Sequence, residues 1–250
     1  MADDLFIGTS RELQNIISRQ LSFLTTRSHS YKTLVIAALG IRASRLCKAL
    51  FILTTSSLRE EANALLRILI EVVVNGAYLM VTGEKEFNAF VAFPVVALGK
   101  SHRAYVAHEK VHSTFTEDFN QLVASNSAEA ELMSGRTPKD SSWTSESVYK
   151  RAVAADAIFQ HDIFADLAAT AYAGAHDYVH GNFPGVLEII SGLQGEVLKP
   201  ENVQIDESAM HSAAAMALLG YALSLDAHFQ TGCTEELQRI ILSFAKGETQ

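Results

Sequence analysis

One stretch of this chain limits the fold more than any other: residues 57–83, SLREEANALLRILIEVVVNGAYLMVTG. Polar residues interrupt this apolar segment mostly at every fourth position. They are Arg59, Asn63, Arg67, Glu71, Asn75 and Tyr78. Because each residue of an α-helix turns by about 100°, this spacing places all of them on one side. The remaining positions are mainly Leu, Ile, Val and Ala, which predicts a helix that is buried on nearly all sides and carries one polar stripe.

The polar stripe needs partners from elsewhere in the fold, because buried charges are rarely left unpaired. A second polar line, Tyr172, His176 and His180, has a spacing of four residues near the end of a later predicted helix. Imidazoles there are suited to act as general acid and base near neutral pH. We expect the two lines to face each other, either as a catalytic site or as a structural polar core. The candidate catalytic residues are Arg67, Glu71, His176 and His180, with Tyr172 and Asn75 as weaker candidates.

Helical periodicity continues along most of the chain and predicts an all-α fold. With 250 residues and an apolar content of 48%, the chain is able to bury a large core. We therefore expect one helical domain over residues 1–250, a bundle of about seven or eight helices. Loops are predicted at 135–147 and 181–205, with a short β-hairpin near 186–198.

Several local signals predict where helices begin and end. Pro94 predicts a break or kink in the helix that follows Glu84, and a second break is expected near Gln160. Capping residues predict helix starts at Thr9, Ser57, Thr114, Asp206 and Thr234.

The charge and the cysteine content limit the classes of partner. A net charge of −8 argues against general DNA binding and against binding to anionic membranes, although a local basic groove is still compatible with it. Arg67 and Glu71 interrupt one of the most apolar segments and argue against a membrane span, and the acidic N-terminus does not resemble a signal peptide. Cys47 and Cys233 are predicted to be reduced, buried thiols. We expect a cytoplasmic protein.

Two metal sites form an alternative prediction. His108 to His112 spells H-E-x-x-H, which on a helix suits Zn²⁺, with the intervening glutamate as general base. A di-metal bundle would instead use two carboxylate–histidine pairs, in each of which the two residues are three positions apart. A lone glutamate would complete the site. The side chains concerned are His108, Glu109, His112, Asp177, His180 and Glu71. The favoured interpretation uses neither site and needs no cofactor.

Several motifs together resemble a known family. They are Ala64-Leu65-Leu66-Arg67-x-Leu69-x-Glu71-x3-Asn75-x2-Tyr78-Leu79, then Trp143, then Tyr172-x3-His176-x3-His180-Gly181-Asn182. This pattern looks like an uncharacterised all-helical bacterial family, known only as a domain of unknown function, over about residues 45–185. The resemblance implies a helical fold and no particular activity.

More distantly, the chain is similar to the HEPN superfamily of helical nucleotide-binding domains, which often occur in dimeric, metal-independent ribonucleases of toxin and antiphage systems. The signature of that superfamily is Arg, four to six residues, then His. Arg103-x4-His108 has this spacing and adds two weaker candidates. The resemblance implies that the His promotes attack by a ribose 2′-hydroxyl, that the Arg stabilises the phosphate, and that the protein is a homodimer with a local RNA site.

The sequence thus favours an RNA-directed protein of the ribonuclease or defence type that acts without metal, and leaves open whether the chain is an enzyme. One alternative is a non-catalytic binding or dimerisation module with a structural polar core, and the other is a metal-binding bundle. No Walker loop, GxGxxG, GxSxG or zinc-finger spacing occurs, which argues against the common nucleotide, dinucleotide, hydrolase and finger classes.

Overall fold

The computed structural model describes residues 2–27, 30–56, 58–106, 117–137, 142–173 and 207–246. Within these ranges, the side chains at 2–4, 101–106, 117–120, 122, 245 and 246 are outside the description. The helices are α1 (Ala2–Arg27), α2 (Tyr31–Thr55), α3 (Arg59–Val81), α4 (Glu84–Val106), α5 (Glu117–Ser134), α6 (Val148–Phe159), α7 (Ile163–Ala169), α8 (Glu207–Phe229) and α9 (Thr234–Lys246). The described residues contain no strand, so the all-α prediction is confirmed. These ranges hold nine helices, more than the seven or eight expected.

The predicted helix boundaries have different outcomes. The break near Gln160 is confirmed: α6 ends at Phe159, and Gln160 has a φ of 59°. The start at Thr9 is wrong, because α1 begins seven residues earlier and its first turns place Phe6 against Phe244 of α9, with ring centroids 5.9 Å apart. Helix α4 continues through Pro94 without ending there. The Thr114 and Asp206 starts and the 186–198 hairpin lie outside the described residues.

Backbone contacts divide the chain into two compact units, residues 1–81 with 148–250 and residues 82–147. The single domain over residues 1–250 stays a prediction. In the smaller unit, α4 packs against α5. Its buried core includes Val96 and Ala130, and Phe90 meets Trp143 edge-on with ring centroids 5.2 Å apart.

The larger unit is built around α3 and α8. Helix α3 packs against α2, α6, α7 and α8, and α8 also packs against α1, α2, α7 and α9. From Leu69 to Met80, all residues of α3 are buried except Glu71 and Tyr78, which are partly exposed. The first half of α3 is more open, since Ile68 is exposed, so burial on nearly all sides holds only for the second half.

The tightest packing in the larger unit surrounds Tyr221 of α8. Its side chain is fully buried, and its hydroxyl donates a hydrogen bond to the carbonyl of Ile36 at 2.7 Å. The ring lies against two glycines, Gly40 of α2 and Gly76 of α3. A Cβ atom at Gly76 would stand only 2.6 Å from the ring. The two glycines therefore make room for an aromatic ring where α2, α3 and α8 meet.

Helices α3 and α8 are also long and apolar enough to cross a bilayer by length and composition. However, 61% and 67% of their most apolar windows are buried inside the structure. A helix in the core of a globular protein is often equally long and apolar. Both cysteines, Cys47 and Cys233, are free and buried, as predicted. Burial raises the pKa of the Cys47 thiol to about 12.

Candidate functional site

The polar stripe of α3 meets a different element at each level of the helix. At the first turn, Arg59 forms an ion pair with Glu207, the first residue of α8. Both side chains are partly exposed, so this contact joins the two helix starts near the surface. Farther along the stripe, Arg67 meets Tyr172 beyond the end of α7, and Glu71 and Asn75 face α6.

Arg67 lies against Tyr172, in the helical turn that follows α7. The Arg67 Nη2 atom donates a hydrogen bond to the Tyr172 hydroxyl at 3.3 Å, and the guanidinium carbon lies 4.9 Å from the centre of the ring. A cation at this distance from an aromatic face is attracted by the ring quadrupole. Among the described residues, the Arg67 Nε atom is buried without a hydrogen-bond partner. The structure thus brings together one residue from each of the two predicted polar lines.

Glu71 and Asn75 face Arg151 of α6. The Arg151 side chain is 3% exposed, and its Nη1 atom donates a hydrogen bond to Asn75 Oδ1 at 2.5 Å. Its Nη2 atom lies 3.9 Å from Glu71 Oε1, and Glu71 is 43% exposed. Burial lowers the pKa of Arg151, and the charge of Glu71 acts in the opposite direction. The Glu71 carboxylate therefore has one side toward a buried cation and the other toward solvent.

Arg151 is not among the residues predicted from the sequence, because Lys150 and Arg151 together look like an exposed basic pair. The signal that could have found it is the helical position. Arg151 shares one face of α6 with Val148, Ala152 and Ala155, and all of these residues are buried. A single cationic side chain on an otherwise apolar helix face needs a hydrogen-bond or ion-pair partner inside the fold.

Asp156, also buried on α6, fixes the start of α7. Its carboxylate accepts hydrogen bonds from the backbone amides of Phe164 at 3.3 Å and Ala165 at 2.7 Å, and it lies 2.7 Å from Nδ1 of His161. A carboxylate at this place satisfies amides that have no partner within the helix. Because α7 has only seven residues and ends shortly before Tyr172, Asp156 helps to position that tyrosine.

The other predicted site residues have no described side chains. Arg103 lies in α4 with its side chain outside the description. No described group of three His, Cys, Asp or Glu side chains is able to hold a metal ion. His108, Glu109, His112, His176, Asp177 and His180 all lie outside the described residues, so their roles stay predictions.

The described part of the site combines a buried cation with a more accessible set of groups. Arg151 and Asn75 are buried and are joined by a hydrogen bond. Arg67, Tyr172 and Glu71 are partly exposed and present a cation, a phenol and a carboxylate. These groups are suited to bind an anion at Arg67 and to orient a polar substrate.

The comparison with known families adds one finding. The model of a family of unknown function (DUF5677) matches residues 33–196, which is more than half of the chain. The chain belongs to this family. No curated protein and no solved structure matches it.

The DUF5677 match confirms the expected relationship to a family of unknown function and extends beyond the 45–185 region of the resemblance. It includes α3 to α7 and all but the first two residues of α2, and therefore Arg67, Glu71, Arg151 and Tyr172. Helices α1, α8 and α9 lie outside it, and so does Glu207, the partner of Arg59.

Proposed function

We propose that this protein is a HEPN-like, RNA-directed ribonuclease of the defence type that acts without metal. The observation that carries the proposal is the contact between Arg67 and Tyr172. It joins the stripe of α3 to the chain segment that leads into His176 and His180. From the family resemblances we also propose a bacterial homodimer, and from the cysteine content a cytoplasmic location.

We propose that the two histidines lie near this contact. Tyr172 is four residues before His176, and four residues of chain span at most about 14 Å. The anchoring of Tyr172 on Arg67 supports a position of His176 near the α3 stripe. A general acid or base must come within hydrogen-bond distance of the proton that it moves, so the proposal requires His176 or His180 to approach a ribose hydroxyl bound beside Arg67.

In the proposed reaction, a ribose 2′-hydroxyl attacks the adjacent phosphorus atom. One imidazole, from His176 or His180, accepts the 2′-hydroxyl proton while the new P–O bond forms. The bond from phosphorus to the 5′-oxygen then breaks, and the other imidazole protonates the leaving oxygen. Arg67 stabilises the negative charge on the phosphate. The products are a 2′,3′-cyclic phosphate and a 5′-hydroxyl end.

The test is cleavage of a mixed RNA pool in EDTA, with analysis of the end groups. The wild-type protein should produce cyclic phosphate ends. His180→Ala and Arg67→Gln should each lower the rate by about 100-fold or more, as expected for loss of an acid, a base or a phosphate-binding cation. The control is His228→Ala, which removes an exposed histidine at the end of α8. Intact RNA with the wild-type protein, or full activity of His180→Ala, would contradict the proposal.

A second candidate function is a non-catalytic binding or dimerisation module, in which the same residues form a structural polar core. The buried hydrogen bond between Arg151 and Asn75 favours it, since that bond stabilises the packing of α6 on α3. This function predicts that Arg67→Ala and Glu71→Ala mainly lower the melting temperature. A variant that melts like the wild-type protein but has lost RNA cleavage would count against it.

A further inference from the structure

A groove runs between α1 and α2, on elements that do not contribute to the site described above. It contains two adjoining cavities of about 500 and 390 Å³, which share Gln14 and Lys48 in their walls. On α1 the walls extend from Ile7 to Thr25, two positions that are 18 residues apart. At 1.5 Å per residue, the groove is about 27 Å long.

The groove is basic, although the chain carries a net charge of −8. Its walls include three cationic side chains and no acidic one. These three side chains, Arg11, Arg45 and Lys48, are exposed and form no ion pair with any residue that the structure describes. Elsewhere on α1, by contrast, Arg19 is paired with Glu236.

Among the described side chains of α1 and α2, no acidic group neutralises the groove. Helix α2 has no acidic residue along its whole length. Glu12, the one acidic residue of α1 whose side chain is described, pairs with Arg239 of α9 at 3.1 Å. The positive charge of the groove therefore faces solvent and is available to an anionic ligand.

Besides apolar side chains, the walls carry polar groups that are suited to a phosphate–sugar backbone. Gln14, Asn15, Ser18 and Ser44 supply amide and hydroxyl groups between the cations. The one aromatic residue of the walls, Phe51, is partly buried, so the groove has no row of aromatic rings on which successive bases could stack. A ligand would thus be held by its charged backbone and without base-specific contacts.

We propose that the α1–α2 groove binds the phosphate backbone of single-stranded RNA. Its length matches roughly eight nucleotides at 3.4 Å each, within the range of about 4–16 nucleotides known for single-strand sites. The choice of RNA as the polyanion rests on the proposed function, whereas the charge of the groove does not. One part of the RNA strand would be bound in the groove while another part reaches the polar stripe of α3.

The test measures binding of a fluorescent 2′-O-methyl oligouridine of about 20 nucleotides by anisotropy, at several salt concentrations. This probe lacks the free 2′-hydroxyl and is not cleaved by the proposed reaction, so binding is measured independently of activity. Arg45→Glu/Lys48→Glu should weaken binding at least tenfold. The slope of log affinity against log salt should become shallower by about 1.4, or about 0.7 for each lost phosphate contact.

The matched control is Lys85→Glu/Lys100→Glu, which makes the same change in net charge at exposed positions of α4. It should bind like the wild-type protein. Equal losses in both double variants, unchanged binding in the groove variant, or no binding by the wild-type protein would overturn the inference. The inference would also be overturned if polyglutamate displaced the probe as effectively as unlabelled oligouridine of the same charge. That result would favour an acidic protein as the partner. If the protein cleaves RNA but binding does not depend on the groove, only the proposal about the groove fails. If binding depends on the groove but the protein does not cleave RNA, only the proposed reaction fails.

Discussion

Arg67 and Arg151 carry the same charge but have different surroundings. Arg151 is almost completely buried, and its guanidinium donates to the buried amide oxygen of Asn75. Arg67 is partly exposed and stacks on Tyr172. We infer that Arg151 mainly stabilises the fold, whereas Arg67 is available to a ligand.

The role of Arg151 is testable by removal and rescue. Arg151→Met should lower the free energy of unfolding by about 1–3 kcal/mol, because it leaves the Asn75 oxygen buried without a donor. Arg151→Met/Asn75→Leu should recover most of this loss, since an apolar pair has no unsatisfied group. Lys150→Ala, at the exposed neighbouring position, should stay within about 0.5 kcal/mol. Denaturant unfolding measures all three, and a double variant no more stable than Arg151→Met would refute the assignment.

Asp226 should make stability depend on pH. Although burial acts to raise its pKa, hydrogen bonds from Thr231, Thr234 and the backbone of Cys233 and Gly232 lower it below 3.8. A lowered pKa means that the stabilisation is present above the unfolded-state pKa and is lost as the pH falls through the folded-state value.

We therefore expect Asp226→Asn to lower the free energy of unfolding at pH 7 by about 1–3 kcal/mol. The difference from the wild-type protein should shrink below about pH 3.8. Asp162→Asn, at an exposed position without a side-chain capping bond, is the control and should have little effect. A difference that stays constant from pH 7 to pH 3 would contradict this account.

At the scale of elements, small residues determine how closely the helices approach. The ring of Tyr221 occupies the space beside Gly40 and Gly76, so α8 approaches α2 and α3 with an aromatic side chain between them. Asp156 similarly fixes the short helix α7 through two backbone amides. Since α7 is too short to be stable alone, the position of Tyr172 depends on α6.

Gly76→Ala tests the packing at Tyr221. The added methyl group would stand 2.6 Å from the ring, and such overpacking costs about 1–3 kcal/mol. Alanine regains up to about 1 kcal/mol of helix propensity, so we expect a net loss of about 1–2 kcal/mol. Gly8→Ala, where no atom lies within 4 Å, should stabilise the protein by up to about 1 kcal/mol. If both substitutions changed the melting temperature equally, helix propensity and not contact with the Tyr221 ring would determine the stability.

At the scale of the whole molecule, periodicity was sufficient to predict the all-α fold and the polar stripe of α3. It could not predict Arg151 as a partner of that stripe, because its neighbour Lys150 made it look like a surface residue. It also could not predict the α1–α2 groove, whose walls come from two helices and depend on how these pack. Local capping signals failed at Thr9, because packing of Phe6 on Phe244 extends α1 beyond the signal.

The central claim is that Arg67 and the late histidines act in one site. The most direct measurement is a double-mutant cycle of single-turnover RNA cleavage rates with Arg67→Gln, His180→Gln and the double variant, each checked by thermal melting. Residues that act as a unit have strongly non-additive effects. We predict that each single variant loses about 100-fold or more, and that the double variant stays within about threefold of the slower single variant. Losses that multiply in the double variant, or no cleavage by the wild-type protein, would contradict the claim.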